Sequence, residues 1–188
     1  MKFIKDDLGE LQFEIVIYLK KTRRIKMFGF IKKNKEEKNI IIKSPVVGRC
    51  FDISEIPDEV FSTKMLGNGI GFESTEGILY APVDGEILMV FPTKHAMILK
   101  SKEGIEILLH IGIDTVEMKG EGFQVFVEKD QQVKAGDKLL AFDNDLIKAK
   151  AKSNLSALVV TDNEIVESLE FKLGTVDKNN NVIIVKIK

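Results

Sequence analysis

The chain contains two histidines, His95 and His110, and one cysteine, Cys50. Neutral imidazole, with an ordinary pKa of about 6.5, is a nucleophile near physiological pH and can take a phosphoryl group as a phosphoramidate. A second imidazole facing the first can hydrogen-bond the phosphoryl oxygens, whose charge of roughly −1.5 to −2 otherwise lacks a partner. That chemistry needs the two rings side by side. His95-Ala-Met-Ile-Leu-Lys100 and Ile105-Glu-Ile-Leu-Leu-His110 are apolar runs joined by Ser101-Lys-Glu-Gly104, the pattern of a β-hairpin. Pairing Lys100 with Ile105 sets His95 directly opposite His110, with Cβ atoms about 4.5–5.5 Å apart. In that register His95, Met97 and Leu99 share a face with Glu106, Leu108 and His110, while Ala96, Ile98, Ile107 and Leu109 take the other, drier face. A one-residue bulge at the turn moves one histidine across the sheet. By the same alternation Thr93 brings a hydroxyl to the face of His95, and Asp114 shares the side of His110 if the strand continues.

Other chemistries find less support. Gly67-Asn-Gly-Ile-Gly71 lacks the dinucleotide spacing and reads as a turn. No Gly-x-x-x-x-Gly-Lys-Ser/Thr loop for ATP and no Gly-x-Ser-x-Gly is present. His110 and Asp114 form His-x-x-x-Asp, to which His95 adds a third zinc ligand. Zinc peptidases built on a duplicated β motif use a separate His-x-His, which two histidines in total cannot supply. No metal and no cofactor is therefore expected.

The elements that must carry the histidines are strands. The 188 residues suffice for one domain with a sizeable core. From Ile40 onward, short apolar runs alternate with Gly, Pro, Asn and Asp about every ten residues. This spacing predicts an all-β fold, an antiparallel sandwich or barrel, with very short helices within Asp58 to Leu66 and from Asp145 to Lys152. Ser44-Pro-Val-Val-Gly48 and Ala81-Pro-Val-Asp-Gly85 share the pattern small-Pro-Val-x-Gly. Proline fixes φ and glycine permits a bend, so the pair reads as a duplicated β motif. Val133-Lys-Ala-Gly-Asp-Lys-Leu139 reads as a tight turn entering a strand.

Charge separates two regions. Residues 1–43 hold 12 Lys/Arg against 6 Asp/Glu, and residues 44–188 hold 16 against 23. An acidic globular part favours a basic protein partner and argues against nucleic acid. Residues 1–39 read as a basic, disordered leader and 40–188 as the domain. Within the leader, Met27-Phe-Gly-Phe-Ile31 also fits the start of an amphipathic surface anchor, so membrane contact is at most peripheral. A single cysteine, no membrane-length apolar run and no signal peptide point to the cytoplasm.

His110-Ile-Gly-Ile-Asp-Thr-Val-Glu-Met-Lys-Gly-Glu-Gly-Phe123 closely resembles the active-site segment of the glucose-family enzyme IIA of the bacterial phosphoenolpyruvate:sugar phosphotransferase system. The resemblance extends through Ser44–Gly48, Pro57–Phe61, Met65–Ile70, Ala81–Gly85, Thr93–Ala96 and Val133–Asp137, and covers about residues 40–188. It implies an antiparallel β-sandwich in which His110 accepts the phosphoryl group, His95 stabilises it and Thr93 supports the pair. It further implies an apolar docking patch of Val60, Phe61, Met65, Leu66, Phe91, Leu108 and Val116, with Asp58 and Asp114 meeting an arginine of the histidine-containing phosphocarrier protein. The donor is then that phosphocarrier and the acceptor a cysteine of a sugar-specific enzyme IIB, with regulatory protein targets as further partners. Leu108 stands where relatives often carry phenylalanine, and residues 1–26 have no counterpart in the resemblance.

Overall fold

The computed structural model describes residues 39–161 and 164–188. Apart from Asn39, the leader lies outside the described residues. Strands β1 (Asn39–Lys43), β14 (Asn181–Ile187) and β12 (Val166–Phe171) form one three-stranded sheet, and β4 (Ile78–Tyr80), β10 (Lys138–Phe142) and β8 (Phe123–Val125) another. The large sheet runs in the order β13 (Gly174–Val176), β2 (Gly48–Asp52), β3 (Gly67–Ser74), β11 (Ser156–Thr161), β7 (Glu106–His110), β6 (Ala96–Ser101), β5 (Gly85–Val90) and β9 (Gln132–Val133). Every pairing between these strands is antiparallel. The main core gathers Ile42 and Ile183 from the first sheet, Leu79 and Leu140 from the second, and Ile70, Met97, Leu109 and Leu158 from the large sheet's inner face. This is the all-β architecture that the turn spacing predicts.

The duplicated motif is physical as well as textual. Both copies bend at Pro-Val-x and enter a strand at the glycine. They also bond to each other reciprocally: the Lys43 N–H donates to the Pro82 carbonyl at 2.8 Å, and the Tyr80 N–H to the Pro45 carbonyl at 2.7 Å. A Cβ on Gly48 would sit 2.0 Å from the Glu73 carbonyl oxygen, and one on Gly85 would sit 2.1 Å from that of Lys100, so each copy needs glycine for the same close approach. The duplication extends to Ser74-Thr-Glu-Gly-Ile78 and Ser101-Lys-Glu-Gly-Ile105, which the sequence reading did not connect. In each, the serine hydroxyl accepts a backbone N–H within its own turn, from Gly77 in one and Ile105 in the other, and the glycine is left-handed.

Three expectations are overturned. Gly67-Asn-Gly-Ile-Gly71 is no turn but the first part of β3. Gly69 and Gly71 are explained by crowding, because a Cβ on Gly69 would meet the Leu158 carbonyl oxygen at 1.9 Å and one on Gly71 the Phe51 ring at 2.2 Å. The β6–β7 register is also shifted by one from the expected pairing: Lys100 faces Glu106 and Ala96, not His95, faces His110. The loop has three residues, Lys102 to Gly104, closed by the Ser101 N–H donating to the Ile105 carbonyl, with Gly104 at φ +96. The second face is not drier than the first, because Met97, Leu99, Ile107 and Leu109 enter the main core while Ala96, Ile98 and Leu108 are buried on the opposite side.

That opposite side carries a second layer. Phe51, Ile53, Ile56, Val60, Phe61 and Leu66 are all buried outside the main core cluster, Phe51 from β2 and the others from the segment that follows it. The segment contains a 3-10 turn, Ile53–Glu55, and helix α1 (Glu59–Ser62), capped by the Asp58 carboxylate accepting from the Val60 and Phe61 N–H groups. Helix α2 (Asn144–Lys150) is capped in the same way by Asp143. Both predicted helices are therefore present, the second beginning slightly earlier than the spacing suggests.

Candidate active site

The two histidines reach the same point by different routes. His110 is the last residue of β7 and lies on the sheet's outer side in one row with Ala157 and Ala96. These small neighbours leave room for its ring. His95 is not in a strand at all. The β5–β6 connection starts with Phe91-Pro-Thr-Lys94, in which the Lys94 N–H donates to the Phe91 carbonyl at 2.7 Å and Lys94 is left-handed at φ 59. A residue held by such a turn escapes strand alternation. The rings accordingly meet edge to face, centroids 4.9 Å apart and planes at 83°, although the expected register is wrong.

Thr93 joins the pair, its hydroxyl 2.7 Å from His95 Nδ1. It does so through the turn rather than through alternation. Phe61 lies against His110 at 5.0 Å between centroids and Phe91 against His95 at 5.9 Å. Each histidine is only 2% exposed. Burial pushes His95 down to about 3, and the neighbouring His110 adds to the effect. Burial likewise pushes His110 down to about 4, with the Gly112 backbone pulling the other way. Both imidazoles are thus neutral at physiological pH. His110 Nδ1 is buried and has no hydrogen-bond partner, the Gly112 backbone lying close enough to influence the ring but outside bonding geometry at that nitrogen.

The expected docking residues divide sharply. Phe61, at 1% exposed, is buried, as are Val60, Leu66, Phe91 and Leu108. Met65 stands out at 58% exposed, Val116 is half-buried and Asp114 is exposed. Five of the seven apolar residues are thus buried, and two of them, Phe61 and Phe91, pack on the imidazoles. Asp58 is half-buried and caps α1. Asp114 does not continue the strand of His110. It is left-handed at φ 61 and opens a 3-10 turn, Thr115–Met118. Among the described residues no group of three or more His, Cys, Asp or Glu is arranged to hold a metal ion, so Asp114 and the two histidines form no such cluster.

Four left-handed non-glycine residues, Lys64, Lys94, Asp114 and Lys119, occupy the connections next to this site. Each such conformation costs about 1–2 kcal/mol, and such strain persists only where surrounding packing imposes it. The sequence reading also passed over Gly112 and Ser156, which hold the chain just beyond His110. Gly112 lies inside the quoted segment, but Ser156 carries no local signal.

The family described as phosphoenolpyruvate-dependent sugar phosphotransferase system, EIIA 1, matches residues 40–166. The chain belongs to this family. A glucose-specific EIIA component of the phosphotransferase system from Bacillus cereus is 43% identical over 162 residues, 86% of this chain and 96% of the relative. That span reaches in front of Ile40. A protein of the same description from Staphylococcus epidermidis is 44% identical over 147 residues, 78% of this chain and 87% of the relative. The solved structure of glucose permease IIA from Mycoplasma capricolum matches with a TM-score of 0.75 and 40% identity, covering 78% of this chain and 96% of that one. The EIIA fold expected from the sequence is thus the fold adopted, and the chain is a phosphotransferase-system component serving phosphoryl transfer in sugar uptake. No helix among the described residues is long and apolar enough to cross a membrane.

Proposed function

We propose that His110 accepts a phosphoryl group from the histidine-containing phosphocarrier protein and passes it to a cysteine of a sugar-specific enzyme IIB. The observation that carries this reading is the pair of buried, neutral imidazoles in edge-to-face contact at 4.9 Å. A neutral imidazole has one bare nitrogen and one N–H, and the pair works if the two rings hold opposite tautomers. A proton on the buried Nδ1 of His110 leaves Nε2 with the free electron pair. The Thr93 hydroxyl donating to Nδ1 of His95 leaves that ring's Nε2 as an N–H donor. The Nε2 pair of His110 then forms the new N–P bond as the P–N bond of the donor breaks, its electrons returning to the donor imidazole. In the second step the thiolate of the enzyme IIB cysteine attacks phosphorus, and the electron pair returns to His110. His95 supports the phosphoryl oxygens in both steps.

Phe61 and Phe91 keep water from the rings, which protects a hydrolysable phosphoramidate. Met65, Val116 and Asp114 offer the exposed part of the docking face, Asp114 supplying charge for a basic phosphocarrier. Asp58 adds to that charge from the cap of α1. A relay of this kind operates in the cytoplasm, with residues 1–39 outside its chemistry. Other proteins that read its phosphorylation state would dock on the same face.

Incubation with phosphoenolpyruvate, enzyme I and the phosphocarrier protein, followed by intact mass, tests the reading. Wild type should gain one phosphate and His110→Ala none. Normal phosphorylation of His110→Ala would reassign the nucleophile.

A further inference from the structure

The chain immediately after His110 is tied to a strand far away in sequence. The Gly112 N–H donates to Ser156 Oγ at 3.0 Å, and that hydroxyl donates in turn to the Asn154 carbonyl at 3.2 Å. Ser156 is 1% exposed, so water cannot take over either bond. It opens β11, and its neighbour Ala157 pairs directly with His110. Gly112 has little freedom of its own: φ is +66, and a Cβ there would meet Thr115 Cγ2 at 2.5 Å and the Ser153 carbonyl oxygen at 3.0 Å. Two further ties flank it, Thr115 Oγ1 donating to the Ile111 carbonyl at 2.6 Å and the Ile113 N–H to the Ser153 carbonyl at 2.8 Å. Only Ser156 holds the Gly112 peptide by its N–H.

The Gly112 backbone acts on the ring nitrogen that matters. Nδ1 is the imidazole nitrogen nearer the main chain, and in His110 it is the one buried side-chain nitrogen or oxygen among the described residues without a hydrogen-bond partner. A proton there is kept by whatever acceptor faces it, and the Gly112 backbone acts on the ring in that sense. The Gly112 N–H and carbonyl flank one Cα, so the Ser156 contact on the N–H, together with the Ile113 N–H held by the Ser153 carbonyl, fixes where the Gly112 carbonyl stands toward the ring. His95 takes a hydroxyl directly, from Thr93 two residues away; His110 takes one at a distance, through a peptide.

We infer that Ser156 is a positioning residue for His110: by clamping the Gly112 peptide it holds the imidazole's orientation and its Nδ1–H tautomer, leaving Nε2 bare for phosphoryl transfer. The inference rests on His110 being the phosphoacceptor. It is tested with Ser156→Ala and the near-isosteric Ser156→Cys, which remove the hydroxyl, and Ser156→Thr, which keeps it. Two readouts are used on the full chain: the tautomer of His110 by heteronuclear NMR of the imidazole nitrogens without phosphate, and the rate of phosphoryl acceptance. Ser156→Ala and Ser156→Cys should mix the His110 tautomers and slow acceptance by up to about a hundredfold, the loss known for small misplacements of a reacting group. Ser156→Thr should stay near wild type in both. A folded Ser156→Ala or Ser156→Cys variant with an unchanged tautomer would overturn the inference, even if its stability fell. Wild type that accepts no phosphate at all would defeat the phosphoacceptor reading instead, and the tautomer measurement would still judge the role of Ser156.

Discussion

His95 and His110 occupy one site but are held there by opposite strategies. His95 sits in a tight connection whose support is local: a left-handed Lys94 beside it and the Thr93 hydroxyl on its Nδ1. His110 ends a strand buried on both faces, and its support comes from Ser156 on the adjacent strand, 44 positions from Gly112. The difference teaches which kind of placement a sequence discloses. Thr93-Lys-His95 could be read from three consecutive residues, whereas nothing near His110 announces Ser156.

The same contrast predicts unequal effects of mutation. The largest belongs to the pair itself: His110→Ala should lose phosphoryl acceptance completely, while His95→Gln should still accept but donate slowly, since glutamine supplies a hydrogen bond without the geometry of the imidazole. Rapid-quench assays of each half-reaction separate these outcomes, and equal losses in both halves from His95→Gln would erase the division of labour.

Next in size is the division within the docking residues. Phe61→Lys puts a charge at a buried position against His110 and should cost roughly 3–5 kcal/mol, comparable to emptying the site. Met65→Lys, at an exposed position, should change stability by less than about 0.5 kcal/mol while weakening association with the phosphocarrier. Urea denaturation and titration calorimetry check the two. A stable Phe61→Lys protein would mean that the 53–66 segment opens readily.

Acid should destabilise the protein through both histidines. Their folded values of about 3 and about 4 lie below the ordinary value of 6.5, so below pH 6.5 the unfolded chain takes up protons that the folded protein refuses. Stability is therefore fully present above pH 6.5 and falls as pH drops toward 4, by up to about 1.4 kcal/mol per pH unit for each histidine. Asp52 and Asp84, whose hydrogen bonds lower them from 3.8, act only below this window. Replacing both histidines by glutamine should flatten the curve between pH 6.5 and 4.5, and an unchanged slope would show that other groups carry it.

The smallest effect concerns the turn that presents His95. Lys94→Gly relieves a left-handed side chain and should raise stability by about 1 kcal/mol, whereas Lys94→Val should lower it. Thermal melts of the two variants should move in opposite directions.

Legibility followed the physics of each signal. Asp58 announced a helix start because capping is local, and the Pro-Val-x-Gly copies announced the duplication because proline and glycine restrict the backbone wherever they stand. The register of β6 and β7 was hidden because both faces are buried, so Ala96–Leu99 and Ile107–Leu109 show no polar side to orient them. Gly104 held the missing clue, as a left-handed glycine closing a three-residue loop. Likewise, no pattern in the sequence shows that a phenylalanine packs on an imidazole, as Phe61 and Phe91 do.

The most direct test of the relay is to locate the phosphoryl group. Protein phosphorylated through phosphoenolpyruvate, enzyme I and the phosphocarrier should show, in a heteronuclear NMR spectrum of its imidazole side chains, phosphorus coupled to Nε2 of His110, with His95 unmodified. Coupling to either nitrogen of His95, or to Nδ1 of His110, would contradict the assignment of His110 Nε2 as the nucleophile.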